Sequence, residues 1–192
     1  MLTRSARSPA YAERVTLRCT ARLLKALRVA PKDLAELPAS DDDWYANLFW
    51  IDRRKCLLLT HAATAFPVLA LDVRVPALRD TGSFIVPLIA AALADEALAP
   101  DALGPLDPAN IQIAKTASRR VLGFMNDTAF MIQIAIDNAG GIEHADASDL
   151  NHKLRRHLHR YPSGYAQPIQ LATDRATSLI TTSTRIDTVT DQ

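Results

Sequence analysis

Cysteine, glycine and aromatic residues are all scarce in this chain of 192 residues, which has two cysteines, six glycines and an aromatic share of 6%. Cys19 and Cys56 stand far apart, each in an apolar, strand-like context. Neither a disulfide framework nor a cysteine metal site is expected, and both thiols are read as buried. Net charge is nearly absent too, at +1. No general attraction to nucleic acid or membrane follows, so such binding needs a local patch. Long hydrophobic runs are missing: the stretch 84–93 contains Pro87 and is too short to span a bilayer. The opening MLTRSARSPAYAER carries arginines but no apolar core of a secretory signal, so a soluble, cytoplasmic protein is expected. GxSxG, HExxH, Walker and GxGxxG patterns are absent, and no internal repeat is visible. No metal and no cofactor is implied.

What the chain does have is a hydrophobic fraction of 48%, enough for one sizeable core. Its centre is the stretch 115–141, KTASRRVLGFMNDTAFMIQIAIDNAGG. Ser118 is a candidate N-cap and Gly140-Gly141 a left-handed stop, which predicts a helix over 118–138. Val121, Met125, Thr128, Ile132 and Ile136 share one stripe, and Leu122, Phe124, Ala129 and Ala135 widen it. A helix so apolar is expected to be buried on most sides. Opposite that stripe cluster Arg119, Gly123, Asn126, Asp127 and Phe130. Glycine in mid-helix costs about 1 kcal/mol relative to alanine. Two readings offset that cost. In one, Gly123 lets a ligand approach a small polar cup rimmed by Arg119, Asn126 and Asp127. In the other, which is preferred, Gly123 marks a close crossing with another element and the polar groups are merely solvated.

Around this helix the chain reads as alternating strands and helices. Val15, Leu17 and Cys19 alternate with polar residues as in a strand, and Thr20 precedes a short helix over 21–29. WYANLFWIDRRKCLLLTH gives the strongest strand signal, apolar on both faces and hence covered on both sides. Its turn, Asp52-Arg53-Arg54-Lys55, lacks glycine, so a loop built on a type I turn is expected rather than a tight type I′ turn. Pro67 confines the strand over 64–73 to an edge or an irregular stretch. A helix over about 80–98 is kinked or started by Pro87, with Phe84, Leu88 and Ala92 inward. A second long helix over 147–160 follows, with Leu150, Leu154 and Leu158 inward and His152, Arg155, Arg156 and His159 outward. Tyr165 to Leu171 reads as an edge strand.

The segments VTLRCTARLLKAL, DWYANLFWIDRRKCLLLTHAAT and KTASRRVLGFMND, in that order, resemble a family of small bacterial proteins known as a domain of unknown function (DUF6933). The resemblance covers residues from about 14 to 161, and its motifs carry no known chemistry. It implies a bacterial domain without an assigned activity. One departure is Phe124, where the family pattern has a small serine; a phenylalanine there narrows any cup beside Gly123 or adds to the core. The family pattern also begins close to Val15, which makes residues 1–13 an upstream extension.

The expected fold is therefore α+β: a small, mostly antiparallel sheet packed against the long apolar helix 118–138 and two or three further helices. Residues 1–13 are expected to be disordered, 14–171 to form the domain, and 172–192 to form a mobile Thr-rich tail. Three functions stay open. The first is an interaction or ligand-binding module for an unknown protein or small anionic ligand. The second is a small enzyme acting on a phosphate-bearing substrate or RNA, in which Arg119, Asn126 and Asp127, beside Gly123, combine with one or more of His61, Arg53 and Arg54. The third is a nucleic-acid-binding accessory protein using Arg155 and Arg156, weakly supported by the neutral charge. His157 and His159, on opposite sides of a helix, form no chelate.

Overall fold

A computed structural model describes residues 14–161 and 164–187. It is an α+β domain. Five strands form one mixed sheet in the order β4-β3-β2-β1-β5: β1 (Val15–Cys19), β2 (Trp44–Ile51), β3 (Arg54–His61), β4 (Pro67–Ala70) and β5 (Ile111–Lys115). Pairs β2–β3 and β3–β4 are antiparallel, whereas β1 runs parallel to both β2 and β5. The sheet is thus half parallel, where mostly antiparallel pairing was expected. The reason lies in the helical crossovers. Helix α1 (Ala21–Leu27) links β1 to β2, and α2 (Thr81–Ala94) lies on the route from β4 to β5. Such crossovers return the chain in the same direction.

Strands β2 and β3 are covered on both sides, as their two-faced apolar pattern requires. Trp44, Ala46, Leu48, Leu57 and Leu59 join α1 and α2 in one core. Tyr45, Phe49, Ile51, Cys56 and Leu58 join a second core with α3 (Arg119–Asn138) and α4 (Ala147–Arg155). Both cysteines are free and buried, and burial pushes the Cys19 thiol up to about 12. Pro67 does begin an edge strand. The free edge at Leu69 is closed by Asn151, whose side-chain amide accepts from Leu69 N at 2.8 Å and donates to Leu69 O at 2.9 Å. An amide side chain here does the work of a further strand.

The β2–β3 turn corrects the expectation for it. Ile51 pairs with Arg54, leaving a two-residue loop in which Asp52 and Arg53 have φ of 47° and 64°. Positive φ at both positions is the type I′ geometry, reached without glycine. The Asp52 carboxylate accepts from Ile142 N at 3.0 Å, which ties the turn to the chain beyond α3.

Helix α3 begins and ends as its sequence indicates. Ser118 accepts from Val121 N, and Gly141 N and Gly140 N donate to Ile136 O and Asp137 O in a Schellman stop. Its burial is narrower than expected. Val121, Phe124, Met125, Thr128, Ile132 and Ile136 are buried, while Arg119, Arg120, Gly123, Asn126, Asp127, Phe130, Ile134 and Asp137 are exposed. One face meets the sheet and α4; none of the described residues covers the opposite one. The helix is amphipathic rather than apolar on most sides.

Helix α2 starts at an Asp80 cap and continues through Pro87, with Gly82, Ile85, Val86, Ile89, Ala92 and Leu93 buried. Helix α4 ends at Arg155, about one turn short of expectation, and β6 (His159–Tyr161) follows it. It pairs with β7 (Gly164–Ala166) in a separate two-stranded sheet. Beyond it, α5 (Pro168–Asp187) occupies positions read from sequence as edge strand and Thr-rich tail. Thr173, Thr177 and Ser178 donate their hydroxyls to carbonyls four residues back, which is how a Thr-rich segment is accommodated in a helix. The expectations for residues 1–13 and 188–192 lie outside the described residues.

Candidate functional site

The early end of α4 creates the candidate site. Arg155 is 2% exposed, and its guanidinium donates to Glu96 Oε1 at 3.2 Å and lies 5.0 Å over the Phe66 ring. Arg156 donates to both oxygens of Glu96, at 2.9 and 2.7 Å. Burial would raise the Glu96 pKa, but hydrogen bonds from Arg156 and Arg155 outweigh that and hold it below the usual range. The basic helix face expected to be solvated is therefore an internal ion-pair network, which joins α4 to the end of α2.

With Arg155 and Arg156 held, the chain straightens and passes beside α3. His159 and Tyr161 turn inward while Leu158 and Arg160 turn outward, so Leu158 is exposed rather than part of an inner stripe. The Tyr161 hydroxyl donates to Thr64 O at 3.0 Å, and burial pushes its pKa up to about 12. Phe124 packs on this strand, 5.1 Å from the Tyr161 ring and 5.5 Å edge-on from His159. The bulky residue at 124 thus serves the core on one side. On the other side it lines a cleft of about 370 Å³ together with Asp127, Phe130, Met131, His157, Leu158, His159 and Arg160.

Chemically the cleft is mixed. His157 and His159 are not on opposite sides of a helix; their ring centroids lie 5.2 Å apart. Burial, then the neighbouring His157, lowers the pKa of His159, and Asp127 works in the opposite sense. His159 is accordingly neutral near pH 7, with one ring nitrogen able to donate and one able to accept. Arg160 adds an exposed cation and Asp127 a carboxylate, beside the apolar surfaces of Phe124, Met131 and Phe130. Among the described residues no cluster of three or more His, Cys, Asp and Glu can hold a metal ion.

The residues singled out from sequence fall in different places. Asp127 lines the cleft. Arg119, Gly123 and Asn126 are exposed along α3, and a methyl group on Gly123 would meet nothing within 4 Å. Among the described residues no backbone crosses there, and none forms an enclosed cup around it. Arg53 and Arg54 sit on the β2–β3 turn near Ile142, at the far end of α3 from Arg119, and Arg54 lies 3.5 Å from Asp72. At about 1.5 Å per residue the intervening helix spans nearly 30 Å.

His61 is fully buried on the other face of the sheet, paired with Trp44 and 5.2 Å from its ring. Its Nδ1 lies 3.0 Å from Thr64 Oγ1, and burial and Arg175 lower its pKa to about 3. The first turn of α3 is also occupied from within. The Tyr45 hydroxyl faces the backbone N–H groups of Ala117 and Ser118 there, without a hydrogen bond of good geometry.

Sequence reasoning missed His157, His159 and Arg160. The signal was the alternation His157-Leu158-His159-Arg160-Tyr161, a period of two rather than of a helix.

These features define a layered α+β domain, helices on both faces of a mixed sheet, with a lateral histidine-bearing cleft. Residues 16–171 match the model of a domain of unknown function (DUF6933), and the chain belongs to that family. No curated protein matches the sequence. No helix among the described residues is long and apolar enough to cross a membrane.

Proposed function

We propose that this domain is a cytoplasmic bacterial binding module that holds a small anionic ligand in the cleft between α3 and β6. The observation that carries this reading is the convergence of His157, His159, Asp127 and Arg160 on the apolar flank of Phe124 and Met131. Small-molecule sites combine an apolar wall with a few converging polar groups in volumes of about 300–1,000 Å³. Arg160 and His157 supply donors for an anionic group, Phe124 and Met131 take an apolar ring or short chain, and Asp127 accepts from a donor on the ligand. The wide separation of His61, Arg53 and Arg54 from this cleft favours binding over the enzyme assembled from those residues. The engagement of Arg155 and Arg156 with Glu96 likewise removes the support for nucleic-acid binding through them.

Benzoate and inorganic phosphate are suitable probes. Titrated against ¹⁵N-labelled protein, benzoate is expected to shift the ring signals of His157 and His159 saturably. Arg160→Gln should abolish the shift. Unmoved imidazole signals with both probes would remove this reading.

A further inference from the structure

The outer edge of α3 is separate from the cleft chemistry, although Asp127 and Phe130 border both. Arg119, Gly123, Asn126, Phe130, Ile134 and Asp137 follow one another at intervals of three and four residues, so they form one nearly straight line along the helix. All are exposed, and the two apolar members are strongly so: Phe130 is 67% and Ile134 is 44% exposed. The line is basic at its start, with Arg119 and the adjacent exposed Arg120, whose guanidinium also donates to Ala62 O at 3.3 Å, and acidic at its end, with Asp137, which also accepts from Gln133 at 2.8 Å. One turn from its start is a hole: the space above Gly123 is empty of described atoms to 4 Å. Glycine is the least favourable helix residue after proline, and no contact among the described residues accounts for it here.

We propose that this edge is the interface of a two-fold homodimer in which α3 packs antiparallel against α3 of a second copy. The pattern is self-complementary in that arrangement alone. Turning the helix end for end places the partner's Ile134 over Gly123, and the partner's Asp137 opposite Arg120 with Arg119 beside it. It also places the partner's Phe130 beside Asp127. All three pairings share one centre, between Thr128 and Ala129, as a two-fold axis requires. The large residue meets the missing one, and the basic end meets the acidic end. Antiparallel dipoles add a further favourable term. A parallel pair would instead set arginine against arginine. Each Asp127 stays turned to its own cleft, within electrostatic reach of His159. The contact is narrow compared with stable interfaces, which bury about 1,200–2,000 Å². Dissociation on the order of micromolar concentration is the consequence.

Sedimentation velocity of the full chain, from about 1 to 500 μM, tests this against the affinities expected for such a surface. Reversible dimerisation is expected. Ile134→Asp and Gly123→Leu should each weaken it at least tenfold with unchanged circular dichroism, because both positions are open in the single chain. Arg120→Asp and Asp137→Arg should each weaken it alone with unchanged circular dichroism, and an equimolar mixture of the two should dimerise again as a heterodimer. A chain that stays monomeric throughout that range overturns the proposal. A dimer indifferent to Ile134→Asp and Gly123→Leu overturns it as well. Absence of rescue in the mixture overturns the antiparallel register. None of these outcomes bears on the benzoate titration, whose readout is the imidazole signals.

Discussion

Two glycines stand inside helices of this domain, and their surroundings are opposite. A methyl group on Gly82 would lie 2.0 Å from the carbonyl oxygen of Pro108, whereas on Gly123 it would touch none of the described residues within 4 Å. Gly82 lets α2 press directly against the chain leading into β5. Gly123 leaves a notch on an uncovered edge. The same residue in the same kind of element therefore marks closure in one region and openness in the other. The difference is set by partners far away in sequence. α2 is also locked at its other end, where Glu96 takes Arg155 and Arg156, while the outer edge of α3 carries exposed Phe130 and Ile134.

That contrast can be broken at several points. Glu96→Ala removes the shared anion and leaves the buried Arg155 with only the more distant Asp95 carboxylate, at 3.9 Å, and the Pro67 carbonyl; a loss of about 3 kcal/mol is expected in urea unfolding. Gly82→Ala should cost about 3 kcal/mol by the same measurement, because the obstacle is backbone that cannot swing aside.

The acid response comes next. His61 and His159 are both held neutral, with pKa values below the ordinary 6.5. The unfolded chain therefore binds more protons as pH falls, so stability is full above 6.5 and is lost below it. His61 alone should contribute about 1.4 kcal/mol per pH unit between 6.5 and about 3. His61→Gln should flatten that limb in melts recorded across the range. Smallest is Gly123→Ala, which should raise the stability of the single chain by up to about 1 kcal/mol. A destabilising Gly123→Ala in dilute protein would place a contact at Gly123 and erase the distinction between the two glycines.

Much of the frame was legible in the residues. The two-faced apolar run Trp44 to Ile51 announces a strand covered on both sides, and Ser118 with Gly140-Gly141 delimits α3. Pro67 correctly puts β4 at an edge. Less legible was anything that depends on a distant partner. Arg155 reads as a solvated cation until Glu96, 59 residues away, is brought to it. α4 ends at Arg155, and Leu158 and His159 lose the helical places expected for them. The parallel half of the sheet was hidden for a related reason: local patterns give strands but not the direction in which a crossover returns. Of the residues singled out from sequence as candidate site residues, Asp127 lines the cleft and the others lie elsewhere. The cleft histidines were assigned a helical period when the chain there has a period of two.

Arg18, buried in β1, fastens parts of the chain that are remote in sequence. Its guanidinium bonds the Asp43 carboxylate and the carbonyls of Leu37, Pro38 and Lys115. The connector between α1 and β2 and the end of β5 are thus both tied to β1 through a single planar group. Lysine, with a compact ammonium in place of a fork, would leave several of those ties unmade.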